Sequence, residues 1–273
     1  MAHSSPDNLL ELLNTVVISA HKTKFYSRKL SPNLVINSLE AFSTIPITPI
    51  TEYRRQRLVN VISAPSDIEW IVGPYRGHSA TDVAIAEGPN EAMYRYDAFI
   101  DAAKKYIPES PNNTAIIVCS KNMRYFSAEI SAILIRYGIP THVFLDRGQR
   151  RNHEVINLIK PDILVVLSDN LMESALPESI DLLITFRQSR KFHNIRQLDF
   201  YFVREFSFLG YSSDLLTYEL NKDLYYYEVS ETGELIITTL YNQIQPMLRI
   251  RVKDKVSNIL EHTITALQLS SGI

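Results

Sequence analysis

Four short apolar runs constrain this chain more than any other feature. They are Asn113–Ser120 (NTAIIVCS), Thr141–Leu145 (THVFL), Asp162–Leu167 (DILVVL) and Asp181–Thr185 (DLLIT). A strand that is apolar along its whole length is buried on both faces. Helical patterns separate the first three runs. One extends from about Met123 to Tyr137 and is stopped by Gly138 and Pro140; the other covers His153–Ile159. Doubly buried strands joined through helices predict a parallel sheet in an α/β fold.

The flanking segments read differently. Leu9, Leu10, Leu13, Val16 and Val17 form the apolar stripe of an opening helix, with Ser5 as its cap and Pro6 at its first position. Ile50–Arg57 predicts a short helix capped by Thr51, and Tyr94–Tyr106 a longer one. Trp70–Ala86 reads as strand, loop, strand. From Phe200 to Ile250 the chain is rich in Tyr, Phe, Ile and Thr, which predicts antiparallel β structure. Val256–Leu269 predicts a terminal helix with Ile259, Leu260, Ile264 and Leu267 on its apolar face.

Charge narrows the function classes. There are 28 Lys and Arg against 30 Asp and Glu, a net of −2. That balance supplies no field for nucleic acid or an anionic membrane. The single cysteine, Cys119, excludes a disulfide framework and a thiolate zinc site, and it reads as a buried small hydrophobe. No apolar run approaches the ~20 residues of a membrane helix, and the N-terminus lacks a secretory pattern. A cytoplasmic protein is expected. The seven histidines show no metal-ligand spacing. There are 8 glycines, where average usage of roughly 7% gives about 19. Phosphate-binding loops use glycine heavily, and this chain has few.

One block is specific. Gly233-Glu234-Leu235-Ile236-Ile237-Thr238-Thr239-Leu240 is followed by Pro246-Met247-Leu248-Arg249-Ile250-Arg251-Val252-Lys253-Asp254. It resembles the phenylacetate–CoA ligase branch of the adenylate-forming superfamily, whose pattern runs Gly-Glu-Leu-Val-x-Thr-x-Leu, then Pro-Leu-Ile-Arg-Tyr-Arg-Thr-Gly-Asp. Phe25-Tyr26-Ser27-Arg28-Lys29-Leu30 is similar to that family's Phe-Tyr-Arg-x-x-Phe, and Leu39–Thr48 to its Leu-Glu-Asp-Leu … Leu-Pro-x-Thr. The resemblance covers most of the chain. It implies a truncated adenylate-forming N-terminal core, with parallel-rich sheet layers and helices, then a β-rich subdomain, and no C-terminal lid domain. The expected divisions are 1–199 for the helices and α/β core, 200–255 for the β-rich subdomain and 256–273 for a terminal helix, as one continuous structural unit.

The resemblance also implies chemistry. The family activates a carboxylic acid with ATP and magnesium, then usually passes the acyl group to coenzyme A. Its phosphate loop matches Tyr75–Asp82, where Gly77 and Ser79 keep the required type while Tyr75, Arg76 and Asp82 do not. The plainer reading is a surface loop. Its Tyr-Gly-x-Thr-Glu motif matches Tyr201–Glu205 and makes Glu205 the candidate metal ligand and catalytic residue, although Phe202 and Arg204 replace Gly and Thr. An ion pair with Arg204 is the alternative. Asp254, with Arg251, matches the ribose-binding aspartate motif; a solvated ion cluster with Lys253 and Lys255 is the other reading. The adenine loop falls near Phe186–Ser189 without its glycines.

Two functions follow. In the preferred one the chain is a non-catalytic relative acting as a binding or scaffold partner in a biosynthetic or metabolic assembly. In the other it is an ATP-dependent carboxylate-activating enzyme with a modified site, using ATP and magnesium. Expected partners are a protein or a second copy, with a small carboxylic acid or a nucleotide as ligand; nucleic acid and membrane are not expected. The protein surface is expected from Phe200, Tyr201, Phe202, Phe206, Phe208, Tyr211 and Tyr225–Tyr227 as an aromatic patch.

Overall fold

The structure, a computed structural model, describes residues 6–75, 83–108, 110, 112–168, 176–187, 191–192, 194–260 and 263–268. In chain order the helices are α1 (Pro6–His21), α2 (Leu39–Ser43), α3 (Ile50–Arg54), α4 (Leu58–Val61), α5 (Pro89–Ala103), α6 (Arg124–Arg136) and α7 (Gln149–Ile159). The strands are β1 (Thr48–Pro49), β2 (Trp70–Tyr75), β3 (Val83–Glu87), β4 (Ala115–Cys119), β5 (Thr141–Leu145), β6 (Ile163–Leu167), β7 (Leu182–Phe186), β8 (Arg196–Val203), β9 (Ser207–Ser212), β10 (Thr217–Leu220), β11 (Tyr225–Val229), β12 (Glu234–Thr239), β13 (Ile250–Leu260) and β14 (Thr263–Gln268). This is an α/β fold with both parallel and antiparallel pairing. The chain divides into two compact units. The first gathers the N-terminal segment to Pro74, the segment ending at Arg95 and the C-terminal segment from Glu219. The second is built from Tyr96–Tyr218.

The second unit contains the parallel sheet that the apolar runs predict. β4 is flanked by β5 on one side and β6 on the other, β6 pairs with β7 and β7 with β8, all in parallel. β9 folds back antiparallel on β8. β4, β6 and β7 are buried at every position, as doubly covered strands must be. β8 crosses the expected boundary after residue 199 without a break, because its pairing with β7 runs from Arg196 to Phe200. Cys119 is fully buried, and burial pushes its thiol up.

The first unit joins the two ends of the sequence. β11, β12, β13 and β14 form an antiparallel ladder, and the short β1 pairs parallel with β13, Thr48 opposite Ile250. Leu13, Val16 and Val17 of α1 are buried, and Asn14 exchanges hydrogen bonds with the Ile36 backbone. Ser38 caps α2 by accepting from the Ala41 N–H. α3 starts at Ile50 behind Pro49, so Thr51 is not its cap. Gly88 stands where a Cβ would lie 2.6 Å from the Glu91 carboxylate and 2.9 Å from Ile244, so no larger residue fits unaltered.

Two expectations fail. The terminal helix is instead the second half of β13 followed by β14, with Val256 opposite Ala266 and Ile259 opposite Ile264. The aromatic patch is not on the surface. Phe200, Tyr201, Phe202, Phe206, Phe208, Tyr225 and Tyr227 are all buried, and only Tyr211 and Tyr226 are part exposed. β8 is buried on both faces, so rings on either side of its pleat are removed from water.

Candidate functional site

β13 carries the specific motif, and its pleat separates the motif's residues. Ile250, Val252, Asp254 and Val256 are buried, while Arg251, Lys253, Lys255 and Ser257 face outward. Asp254 is therefore an interior carboxylate, 1% exposed, and not part of the solvated cluster. Arg251 lies on the opposite face, with its guanidinium 3.5 Å from Glu234 and more than a third exposed. Asp254 and Arg251 share a strand but not a side of it.

Arg249, at the start of the same block, has a structural task. Its Nε and Nη2 donate to the two oxygens of Glu228 on β11, each at 2.9 Å. Its Nη1 donates to the carbonyls of Ser43 and Ile45. The residue sits at φ 46°, in the left-handed region that a long side chain rarely adopts. The ring of bonds around the guanidinium holds it there, and the Arg249 carbonyl accepts from the Thr48 N–H at 2.9 Å. Burial pushes the Glu228 carboxyl up, and Arg249 opposes the shift. Beside this clamp, Tyr26 of the N-terminal motif accepts from the Leu248 N–H at 2.9 Å and donates to its carbonyl. Burial raises the Tyr26 phenol well above its ordinary value. The residues that carry the resemblance at the two ends of the chain thus touch each other.

A second ion pair lies near the start of α5. Arg95 Nε and Nη2 donate to the two oxygens of Glu87 at 2.6 and 2.7 Å, and both residues are buried. Gln245 fixes the neighbouring strand by accepting from the Ala86 N–H at 2.7 Å, and Asn242 donates to the Ala86 carbonyl. Neither pair was singled out from the sequence. Glu228 and Arg249 are 21 positions apart, and only the register of β11 through β13 brings them together.

Glu205 belongs to the second unit. It occupies the tight turn between β8 and β9, closed by a 2.8 Å bond from the Phe206 N–H to the Val203 carbonyl, and is 1% exposed. β8 presents two distinct faces. Phe200 and Phe202 join Phe99, Phe126, Phe186 and Phe208 in a continuous aromatic cluster. Phe202 lies 4.2 Å from Phe126 and Phe200 lies 4.6 Å from Phe99, measured between ring centroids. Gln197, Asp199 and Tyr201 take the other face. Asp199 accepts from the Thr185 hydroxyl at 2.6 Å and the Tyr218 hydroxyl at 2.7 Å. Burial, then the Asp199 charge, push the Tyr218 phenol up. Arg187, at the expected adenine loop, has φ 54° and lies over the Tyr201 ring.

These residues fit a nucleotide and magnesium poorly. The position that the motif reserves for glycine is filled by Phe202, packed against Phe126. Among the described residues no group of three or more His, Cys, Asp or Glu side chains is placed to hold a metal ion. Gly77 and Ser79 lie outside the described residues. No helix among the described residues is long and apolar enough to cross a membrane.

Solved structures resemble the chain as a whole. A 2-hydroxyisobutyryl-CoA ligase in complex with 2-HIB-AMP and CoA, in the thioesterification state, matches with TM-score 0.70 at 15% identity, over 93% of this chain and 64% of that one. The same ligase in the postadenylation state with R3-HIB-AMP matches with TM-score 0.72 at 16% identity, over 93% and 63%. The amide bond synthetase McbA from Marinactinospora thermotolerans matches with TM-score 0.51 at 11% identity, over 74% and 49%. The chain thus spans less than two thirds of the length of these proteins. No protein-family model matches it, and no curated protein matches it by sequence. None of the three structures is a phenylacetate–CoA ligase. What is shared at these identities is architecture, and the chain folds like about two thirds of that 2-hydroxyisobutyryl-CoA ligase.

Proposed function

We propose that the chain is a non-catalytic relative of the adenylate-forming ligases, similar to the phenylacetate–CoA ligase branch, that acts as a binding or scaffold partner in a metabolic assembly. The observation that carries this reading is the phenylalanine cluster. Phe202 occupies the glycine position of the magnesium motif and is 3% exposed. Six phenylalanines from α5, α6, β7, β8 and β9 pack on one another there. A ring has no spare donor for a phosphate and excludes the water a hydrated magnesium ion keeps. Arg249, an arginine of the second motif, supports the reading too, because its donors are taken by Glu228 and two backbone carbonyls.

A second reading rests on the carboxylates. Glu205 and Asp254 both keep their residue type and are both interior. On that reading the chain activates a carboxylic acid with ATP and magnesium through a modified site. ATP–pyrophosphate exchange over a panel of carboxylic acids decides between them. The non-catalytic reading expects no exchange above background with any acid. Exchange that disappears in Glu205→Gln would establish the second reading.

A further inference from the structure

The first unit holds a cleft of about 250 Å³ between the segment after α1 and the α3–α4 region. Its walls carry three cations, Lys24, Arg28 and Lys29, against one carboxylate, Glu52. We propose that this cleft is a binding site for a small phosphate-bearing molecule. The inference is independent of whether the chain activates carboxylates.

The charges sort themselves by geometry. Lys29 Nζ lies 2.7 Å from Glu52 Oε1, donates to Thr48 Oγ1 at 3.3 Å and sits 4.3 Å above the Phe25 ring. Glu52 is therefore matched by Lys29. Lys24 and Arg28 remain, both exposed at the cleft, and among the described residues neither has an ion-pair partner. Two unmatched cations in one concavity repel each other and attract a dianion.

The backbone that carries them is fixed. The Ser27 N–H donates to the Thr23 carbonyl at 3.1 Å, and the Leu30 N–H to the Tyr26 carbonyl at 3.0 Å. Tyr26 between them is buried and bonded to Leu248, and the Phe25 N–H donates to the Asn60 carbonyl at 2.9 Å. Little ordering is left for a ligand to impose, which favours binding. The side chains of Gln56 and Asn60 complete the lining and bring neutral amide groups.

The chemistry selects the ligand class. A guanidinium matches phosphate oxygens two at a time, and a lysine adds a point charge. A monoester near neutral pH carries close to the two negative charges that Lys24 and Arg28 leave unmatched. The volume is below the roughly 300–1,000 Å³ of sites for drug-sized molecules, so it suits a phosphate with a small organic group. Inorganic phosphate and a phosphate ester share this chemistry.

Calorimetry on the full chain with inorganic phosphate and with ribose 5-phosphate tests the site and separates the two sources. A dissociation constant of about 1 mM or tighter is expected, the level that two charge-assisted hydrogen bonds support. It should weaken several-fold between about 0.02 and about 0.2 M salt. Tighter binding of the ester identifies an ester site, and equal binding identifies a site for the free anion. The double variant Lys24→Ala/Arg28→Ala is expected to lose at least about tenfold. Lys104→Ala/Arg150→Ala removes the same charge from exposed positions of the second unit and is expected to change affinity less than about twofold. Glu52→Gln leaves a third unmatched cation and is expected to tighten binding about threefold or more. No binding of either probe at about 10 mM overturns the proposal. So does an equal loss in both double variants, or a Glu52→Gln chain that binds no better than the original.

Discussion

In the second unit the buried aromatic residues are chiefly phenylalanines, six of which pack on one another; in the first they are chiefly tyrosines, each tied by its hydroxyl or set beside a buried ion pair. Phe126 touches Phe186, Phe202 and Phe208. By contrast, Tyr53 accepts from Gln245 at 3.2 Å, and Tyr241 stands edge-on to Tyr225 near Glu87 and Arg95. The first unit also buries Glu87 with Arg95 and pairs the buried Arg249 with the part-buried Glu228. A ring cluster tolerates changes of shape as long as volume is conserved. A buried ion pair tolerates removal of both partners far better than removal of one. The same fold therefore holds two interiors that should fail by different rules.

The sharpest way to break this contrast is Arg249→Met. It strands Glu228 and two carbonyls, and a loss of about 3–5 kcal/mol in urea unfolding is expected. Glu228→Leu/Arg249→Met should recover most of that, and if the double variant is as weak as the single one, ion pairing is not what distinguishes the first unit. Gly88→Ala comes next, at about 1–3 kcal/mol. The new methyl would meet the Glu91 carboxylate at 2.6 Å and Ile244 at 2.9 Å, and this corner has been read as too tight if thermal unfolding does not shift. Phe126→Leu in the second unit keeps an apolar contact of nearly the same volume and should cost about 1–2 kcal/mol. A loss as large as that of Arg249→Met would mean that the phenylalanine cluster is as finely specified as the ion pairs.

The smallest effect concerns a surface charge of the second unit. Burial raises the Asp214 carboxyl, but the N–H groups of Thr217 and Leu216 and the Ser212 hydroxyl outweigh it and hold the group below the usual aspartate range. A folded-state pKa below the unfolded one stabilises the fold above the unfolded value, and that contribution disappears as pH falls through the folded value. Asp214→Asn should slightly lower the urea midpoint at neutral pH and flatten its decline below pH ~4. An unchanged acid limb would remove Asp214 from the account.

The parallel sheet was legible because burial on both faces leaves its mark in β4, β6 and β7 separately, and ILVVL needs no partner to be read; β5, at the edge, has an equally apolar run but is part exposed or exposed at every position. The end of β13 was not. Its alternation of Ile250, Val252 and Val256 is interrupted by Asp254 at an inward position, and a carboxylate there reads as an outward one. With that period hidden, Ile259, Leu260 and Ile264 fit a helical spacing by coincidence, although Thr263, Ile264 and Thr265 favour a strand. The aromatic residues failed as surface markers for a related reason. Composition counts rings, but only the pairing of β8 with β7 and β9 decides which way each ring points. Asp254 and Glu205 were readable as residue types, and their interior placement was not, because burial of a carboxylate depends on neighbours far away in sequence. The unmatched charge of Lys24 and Arg28 was hidden for the same reason, since Lys29 meets Glu52 only after the chain has turned back on itself.

The bond between Tyr26 and Leu248 spans 222 positions, and β1 waits on β13 in the same way. Asn14 and Phe25 meet partners nearby in sequence, Ile36 and Asn60, but Tyr26 and Thr48 wait for the segment from Leu248 to Ile250. The residues of the second unit are contiguous and can close on themselves as they appear. Late closure of so wide a loop makes assembly of the first unit the slow, high-contact-order step. Until it happens, the Tyr26 hydroxyl lacks Leu248 and the Thr48 N–H lacks the Arg249 carbonyl, two buried polar groups that water must serve in the meantime.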